Sequence, residues 1–223
     1  IINPDKPVKD SEIAVYVEQR HETTVGDYII SGKYDLVLDG TISDYKSTSV
    51  WTYIYDSNAL KYTQQGSIYK WLAPDRITDN KIDIQFIFTD WSSAQAIRDP
   101  KYPQSKVLTK SYPLWSVEQT EHFIKQKLED ITALLDKVQE DLPLCTSDEL
   151  WESATKYKYF KNPDSLRATK NFDSLDEANI RLANEGIGEI KTVPGEAKAC
   201  RYCEVAGVCH QAKNLVQQGR LVL

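Results

Sequence analysis

The sequence predicts a mixed α/β (α+β) protein in which a central mixed sheet is flanked by helices. Alternating apolar residues predict strands over residues 13–18, 28–38, 41–46 and 81–89. Apolar residues at helical spacing predict helices over 58–72 and 116–138, the first ended by Pro74 and the second begun by the capping box Ser116-x-x-Gln119. With 223 residues, the chain can form a large core domain with a small appendage.

Two domains are expected, a core over residues 1–140 and a cysteine-containing region over residues 141–223. Within the second, residues 157–193 have the pattern of a small ββαβ unit, whose helix begins at the capping box Ser174-x-x-Glu177 and ends near Gly186. Residues 90–115 are rich in proline, aromatic and basic residues, and we predict an irregular loop there. Long loops inside compact domains are commonly functional.

Composition narrows the class of protein. The chain is 41% hydrophobic and 27% charged, and no apolar run approaches the ~20 residues of a membrane span. We therefore expect a cytoplasmic protein with no membrane partner. The formal net charge is −6, so contact with nucleic-acid phosphates would need a local positive surface or metal ions.

The turn Asp39-Gly40 predicts a two-residue hairpin between the second and third strands. In that register Asp35 lies directly opposite Asp44, and Lys46 shares their face. Opposed carboxylates repel each other, so such a pair requires a cation between them or protonation of one member.

We predict that Asp35 and Asp44 hold a divalent cation such as Mg²⁺ or Mn²⁺, with the backbone carbonyl of Tyr45 as a further ligand. Lys46 would orient the attacking water or stabilise charge developing on a phosphate. The alternative is a solvent-facing hairpin with scattered charges, because D-x-K is a short motif.

The cysteines suggest a second metal site. Three of them form Cys200-x2-Cys203-x5-Cys209, and Cys145 stands alone upstream. Clustered cysteines favour a shared metal site over disulfides or free thiols in a chain with no sign of secretion. Four thiolates can hold zinc or anchor an iron–sulfur cluster, and spacing alone leaves both open.

Three motifs together resemble the PD-(D/E)xK nuclease superfamily, and most of all its RecB/AddB-like branch, which includes the nuclease of CRISPR adaptation. They are Gly32-Lys33-Tyr34-Asp35, Asp44-Tyr45-Lys46 and Gln65-x3-Tyr69. The resemblance implies a restriction-endonuclease-like core. It also implies that Gln65 and Tyr69 support the active site and the DNA strand, and Tyr69 is suited to stacking.

The same resemblance implies a [4Fe-4S] cluster on the four cysteines, with Zn²⁺ as the alternative. In the named members the upstream cysteine precedes the active site, whereas Cys145 follows it, as in phage proteins that residues 88–209 also resemble. The branch has a further helix bearing a histidine before the first strand, which we expect to lie before Ile1. His21 and Glu18 are weaker candidate ligands within this sequence.

The expected function is therefore metal-dependent hydrolysis of DNA phosphodiester bonds. We expect an exonuclease of phage or bacterial recombination, repair or replication, with a helicase or recombinase as partner. Four cations of the 90–115 loop, Arg98, Lys101, Lys106 and Lys110, could contact DNA. The alternatives are a catalytically silent DNA-binding or scaffold subunit and a cysteine-cluster interaction module. The intact Asp35, Asp44 and Lys46 favour the enzyme.

Overall fold

A five-stranded mixed sheet forms the centre of the first of two units, Ile1–Thr132, in the computed structural model, which describes residues 1–6, 8–9 and 11–222. The strands are β1 (Val15–Val25), β2 (Tyr28–Leu38), β3 (Thr41–Thr48), β4 (Lys81–Phe88) and β5 (Val107–Pro113). They follow this order across the sheet, and every neighbouring pair is antiparallel except β3 and β4. The predicted mixed sheet is confirmed.

Four helices accompany this sheet: α1 (Val50–Tyr55), α2 (Ala59–Leu72), α3 (Ser93–Arg98) and α4 (Val117–Thr132). Parallel strands require a crossover connection, and α1 and α2 supply it between β3 and β4. The capping box at the start of α4 is confirmed, since Ser116 Oγ accepts the backbone N–H of Gln119 and the Gln119 side chain accepts that of Ser116.

The buried face of β4 fixes the environment of its neighbour β3. Ile82, Ile84, Phe86 and Phe88 alternate along β4 and are fully buried. In the parallel register, Asp44 lies beside Ile84 and Lys46 beside Phe86. Because side chains alternate along a strand, both polar side chains share the face of buried Ile42, and the aspartate enters an apolar layer.

Helix α2 approaches this layer closely at Gly66. A Cβ atom there would lie 2.9 Å from Cβ of Ile82 and 2.7 Å from Cδ2 of Leu114. We expect Gly66→Ala to destabilise the protein by about 1–3 kcal/mol through overpacking, net of the ~1 kcal/mol that alanine gains in helix propensity. Urea denaturation measures this, with Gly207→Ala as control, since a Cβ at Gly207 meets no atom within 4 Å. Equal stability of the two variants would contradict the close packing of α2.

The second unit, Ala133–Leu223, contains a three-stranded antiparallel sheet of order β7-β6-β8. Its elements are β6 (Lys156–Phe160), β7 (Lys170–Phe172), α5 (Leu175–Glu185), β8 (Glu189–Val193) and α6 (His210–Gln217), with 3₁₀ turns at Gln139–Asp141 and Lys198–Tyr202. The predicted ββαβ order is confirmed. Ser174 caps α5, and Gly186 ends it with φ +69°.

The prediction of an irregular segment over residues 90–115 is wrong. Helix α3 begins there after Ser92, whose hydroxyl accepts the backbone N–H of Gln95, and β5 follows. The alternation of β5 was concealed because Lys110 occupies an inward position, where it forms an ion pair with Asp56 at 2.7 Å.

Three other elements differ from the predictions. Helix α1 was not predicted, and β1 continues beyond residue 18 to Val25. Helix α4 ends at Thr132 rather than near residue 138, and the apolar side chains that suggested its continuation, Leu135 and Val138, are exposed. Among the described residues, no helix has the length and apolar character needed to cross a membrane.

Candidate active site

The carboxylate of Asp44 is the most buried acidic group near the hairpin, with 3% of the residue exposed. Gln65 Nε2 donates a hydrogen bond to its Oδ1 over 3.0 Å. Nζ of Lys46 lies 2.6 Å from Oδ2 and forms an ion pair with it. Apart from that ion pair, Oδ2 has no hydrogen-bond donor among the described residues, so one buried oxygen retains accepting capacity.

Electrostatics at Asp44 favour an additional positive charge. Burial raises the pKa of this carboxyl; Lys46 and Gln65 oppose that rise, and the negative charge of Asp35 adds to it. The pKa remains raised, so the positive charge already present does not fully compensate the buried carboxylate. A cation close to both aspartates would lower that cost.

Asp35 reaches this site through a break in strand pairing. The predicted register is confirmed for three pairs between Leu36–Leu38 and Thr41–Ser43, but it does not extend to Asp35 and Asp44. Instead, Oδ2 of Asp35 accepts the backbone N–H of Tyr45 over 3.0 Å. On the other side of β2, the pairing with β1 skips Glu18, which has φ +55°. The local distortion therefore frees Asp35 from regular pairing at the start of the D-x-K segment.

Helix α2 presents Gln65 and Tyr69 together, because residues four apart lie on one helical face. Gln65 Nε2 donates to Oη of Tyr69 over 3.1 Å as well as to Asp44. Gly32 of β2 leaves room for this arrangement, since a Cβ there would lie 3.0 Å from Cε1 of Tyr69. Asp35, Asp44, Lys46, Gln65 and Tyr69 are thus connected through β3 and α2.

The family model of the PD-(D/E)XK nuclease superfamily matches residues 5–210. The chain belongs to this superfamily. The mixed sheet flanked by helices agrees with its restriction-endonuclease-like fold. A solved structure titled "Crystal structure of SSO0001" is similar at 18% identity and a TM-score of 0.34, over 60% of this chain and 57% of that one. No curated protein matches the chain.

Nucleases of the PD-(D/E)XK superfamily usually use Mg²⁺ or Mn²⁺, and the donor chemistry here fits such a cation. Asp44 has a buried oxygen with spare accepting capacity, and Asp35 is close enough to disfavour its ionisation. Within the described ranges, no three or more His, Cys, Asp or Glu side chains are grouped to hold a metal ion. Two carboxylates form a smaller set, which suffices for Mg²⁺ because this ion keeps several of its waters.

The contacts among Tyr34, His21 and Arg76 were not predicted from the sequence. The Tyr34 ring stacks on His21 at 5.5 Å and meets the Tyr69 ring edge-on at 6.3 Å. Nη1 of Arg76 lies 3.3 Å from Nε2 of His21 and 3.4 Å from Oη of Tyr34. Burial and then Arg76 lower the pKa of His21. These contacts connect His21 with Tyr34 and Arg76. Glu18, the other weaker candidate ligand, forms an ion pair with Lys33.

The four cysteines of the second unit are free thiols, and the described residues do not group three or more of them as ligands of a metal ion. Burial raises the pKa of Cys200, and Cys203, Cys209 and Cys145 each raise it further. The pKa of Cys145 is raised by burial, then by Glu149, Cys209 and Cys203. Gln211 holds Cys145 by accepting its backbone N–H and donating to its carbonyl. The thiols are thus near enough to influence one another's pKa, but the described residues do not arrange them as a metal site.

The basic residues proposed for DNA contact differ in whether they form ion pairs. Arg98 ends α3, and Lys101 and Lys106 follow it in the connection to β5. In the described part of the chain, none of these three cations forms an ion pair with a carboxylate. Lys110 differs, because it is paired with Asp56.

Proposed function

We propose that this PD-(D/E)XK protein is a Mg²⁺- or Mn²⁺-dependent deoxyribonuclease that hydrolyses phosphodiester bonds as an exonuclease. The observation that carries the proposal is the buried Asp44 carboxylate, which has spare accepting capacity at Oδ2 and lies beside Lys46 and Asp35. Burying such a group is costly, and the cost is offset when a cation binds to its free accepting position.

Each residue of the site has a proposed role. Asp35, Asp44 and the backbone carbonyl of Tyr45 would hold the cation, which when bound polarises the phosphate and lowers the pKa of water. Lys46 orients the attacking water or stabilises the negative charge that develops on the phosphate.

The helix completes the arrangement. Gln65 fixes the orientation of Asp44 through its hydrogen bond, and it positions the Tyr69 hydroxyl at the same time. Tyr69 contacts the DNA strand near the scissile phosphate. The catalytic set is therefore Asp35, Asp44, Lys46, Gln65 and Tyr69.

Arg98, Lys101 and Lys106 are proposed DNA contacts, because unpaired cations on an acidic protein can bind phosphates without breaking existing ion pairs. A RecB/AddB-like exonuclease of phage or bacterial recombination, repair or replication would act on a free end or a single strand in the cytoplasm. A helicase or recombinase is the corresponding partner. We propose a structural [4Fe-4S] cluster on Cys145, Cys200, Cys203 and Cys209, with Zn²⁺ as the alternative.

Lys46→Ala tests the catalytic proposal. We expect DNA cleavage to fall about 10²–10³-fold, the loss typical of removing one group that stabilises charge in the transition state. The assay compares end-labelled linear DNA with circular single-stranded DNA in Mg²⁺ and in Mn²⁺. Lys81→Ala is the matched control, because Lys81 lies on the adjacent strand and pairs with Asp83 instead.

The substrates separate the alternatives. Cleavage of linear but not circular DNA supports the exonuclease, whereas cleavage of circles would make the protein an endonuclease. DNA binding without cleavage in either metal would favour the silent scaffold subunit. Equal cleavage by wild type and Lys46→Ala would remove Lys46 from the catalytic set.

A further inference from the structure

Helix α1 carries a pair of exposed, stacked aromatic rings. The Trp51 and Tyr55 rings are 5.8 Å apart between centroids and inclined by 22°. Trp51 is 51% exposed and Tyr55 is 73% exposed. The opposite side of the helix is well packed, since Val50 is buried and the Tyr53 ring contacts Phe86 and Phe88. This packing anchors the helix that carries the two exposed rings.

This aromatic pair lies close to the proposed catalytic strand. β3 ends at Thr48 and α1 begins at Val50, so only Ser49 separates them. At about 3.3 Å per extended residue, the backbone of Val50 is at most ~13 Å from that of Lys46. The connection between the proposed catalytic strand and the helix that carries the rings is therefore short.

A basic side chain completes this surface. Trp51, Gln95, Arg98, Asp99 and Tyr102 line a cavity of about 170 Å³. That volume is well below the ~300–1,000 Å³ of sites that enclose small molecules. The cavity would therefore contact only part of a bound partner and would not enclose it. Asp99 lines the same cavity, yet Arg98 forms no ion pair there or elsewhere in the described chain. Its guanidinium can therefore donate hydrogen bonds to a phosphate.

We propose that Trp51 and Tyr55 form a stacking platform for the bases of single-stranded DNA, with Arg98 contacting the phosphate backbone. The inference rests on the proposed nuclease function and specifies the substrate of that site. Aromatic rings stack on unpaired bases of any sequence, whereas the bases of a duplex are already stacked on one another. The unpaired Arg98, which lines the same cavity as Trp51, favours a polyanion over a protein partner for this surface.

Binding to DNA in the absence of cleavage tests this platform. The Lys46→Ala protein is titrated, in buffer containing EDTA, against fluorescein-labelled oligothymidylate and a duplex of equal length, followed by fluorescence anisotropy. We expect Trp51→Ala and Tyr55→Ala each to weaken single-strand binding by about tenfold, consistent with the loss of one base stack. Duplex binding should change less than threefold, and Trp51→Phe should recover most of the affinity because it retains a ring.

Ile97→Ala is the matched control, because Ile97 is 86% exposed on neighbouring α3 but has no aromatic face. Unchanged single-strand affinity in both aromatic variants would overturn the platform, as would an equal loss in Ile97→Ala. A parent Lys46→Ala protein that binds neither DNA, together with a wild type that cleaves none, would instead reject the proposed function. Circular dichroism of each variant distinguishes loss of binding from loss of folding.

Discussion

Asp44→Asn is expected to reduce DNA cleavage by about 10²–10⁴-fold while leaving the free energy of unfolding unchanged or increased in metal-free buffer. Asparagine keeps the shape of the side chain and an oxygen that can accept the hydrogen bond from Gln65. It removes the negative charge that the proposed cation needs. A loss of activity without a loss of stability is the signature of a functional carboxylate, since functional groups are commonly held at a cost to stability.

The direction of the stability change follows from the pKa of Asp44, which burial raises in the folded protein. A carboxyl whose pKa is higher folded than unfolded favours folding when it is protonated. Its contribution is therefore lost as pH rises from the ordinary aspartate range through the raised value. At pH 7 wild type carries this cost and Asp44→Asn does not. The difference in melting temperature should shrink as pH falls toward 4.

Metal binding supplies a readout besides activity. A ligand at 100 times its Kd stabilises the folded state by about 2.7 kcal/mol, so Mn²⁺ should raise the melting temperature of wild type and not of Asp44→Asn. Asp83→Asn is the control, because Asp83 lies on adjacent β4 and bonds Lys81 and Ser111. An equal Mn²⁺ response in wild type and Asp44→Asn would place the metal elsewhere. Loss of stability in metal-free Asp44→Asn would indicate a structural role.

The hairpin that brings the D-x-K segment to the site could be predicted because its determinants are local. Asp39 and Gly40 both have positive φ, +49° and +81°, as a type I′ turn requires, and the turn sets the register of the adjoining pairs. The position of Asp35 could not be predicted in the same way. It depends on a break in pairing opposite Glu18, which no residue preference in the strand indicates.

The surroundings of the site depend on contacts between distant segments. Arg76, which follows α2, contacts His21 of β1 and Tyr34 of β2. The residue pattern within one strand or helix does not predict a contact between such distant segments. Likewise, the sequence predicts an exposed charge at Lys110, whereas the structure pairs it with Asp56. The Gln65–Tyr69 pair was accessible to prediction because both residues lie on one helix at a fixed spacing.

Replacing Cys203 with serine is expected to produce the largest loss of stability in this protein, confined to Ala133–Leu223. The core near the cysteines is small, consisting of Leu150, Ala197, Ala206, Ala212, Leu215 and Leu221, with Cys200 and Cys209 packed against it. Three of these residues are alanines, so apolar burial contributes little. Bound metal contributes directly to folding in such small domains, by about 10–16 kcal/mol for zinc in peptides.

Hydrogen exchange measured by mass spectrometry resolves this effect along the chain. In Cys203→Ser, amides of residues 133–222 should lose protection while those of β3 and β4 keep it, and bound metal should be lost. Metal analysis of anaerobically purified wild type distinguishes four irons per chain from one zinc, the contents of the two candidate sites. Val205→Ser is the control, because Val205 is exposed in the same segment.

Cys145→Ser decides whether the upstream cysteine belongs to the site. Its backbone is already held by two hydrogen bonds with Gln211, so the serine variant should keep the local backbone and lose only the thiolate. Loss of metal comparable to that in Cys203→Ser would make Cys145 the fourth ligand. Full metal content in Cys145→Ser would exclude Cys145 as a ligand. Wild type that contains no metal, and whose amides exchange hydrogen at the same rates as those of its variants, would exclude the metal site. Cys145 lies near the start of the second unit, and the other three cysteines lie near its end. Loss of metal in Cys145→Ser would therefore show that a metal joins these two segments.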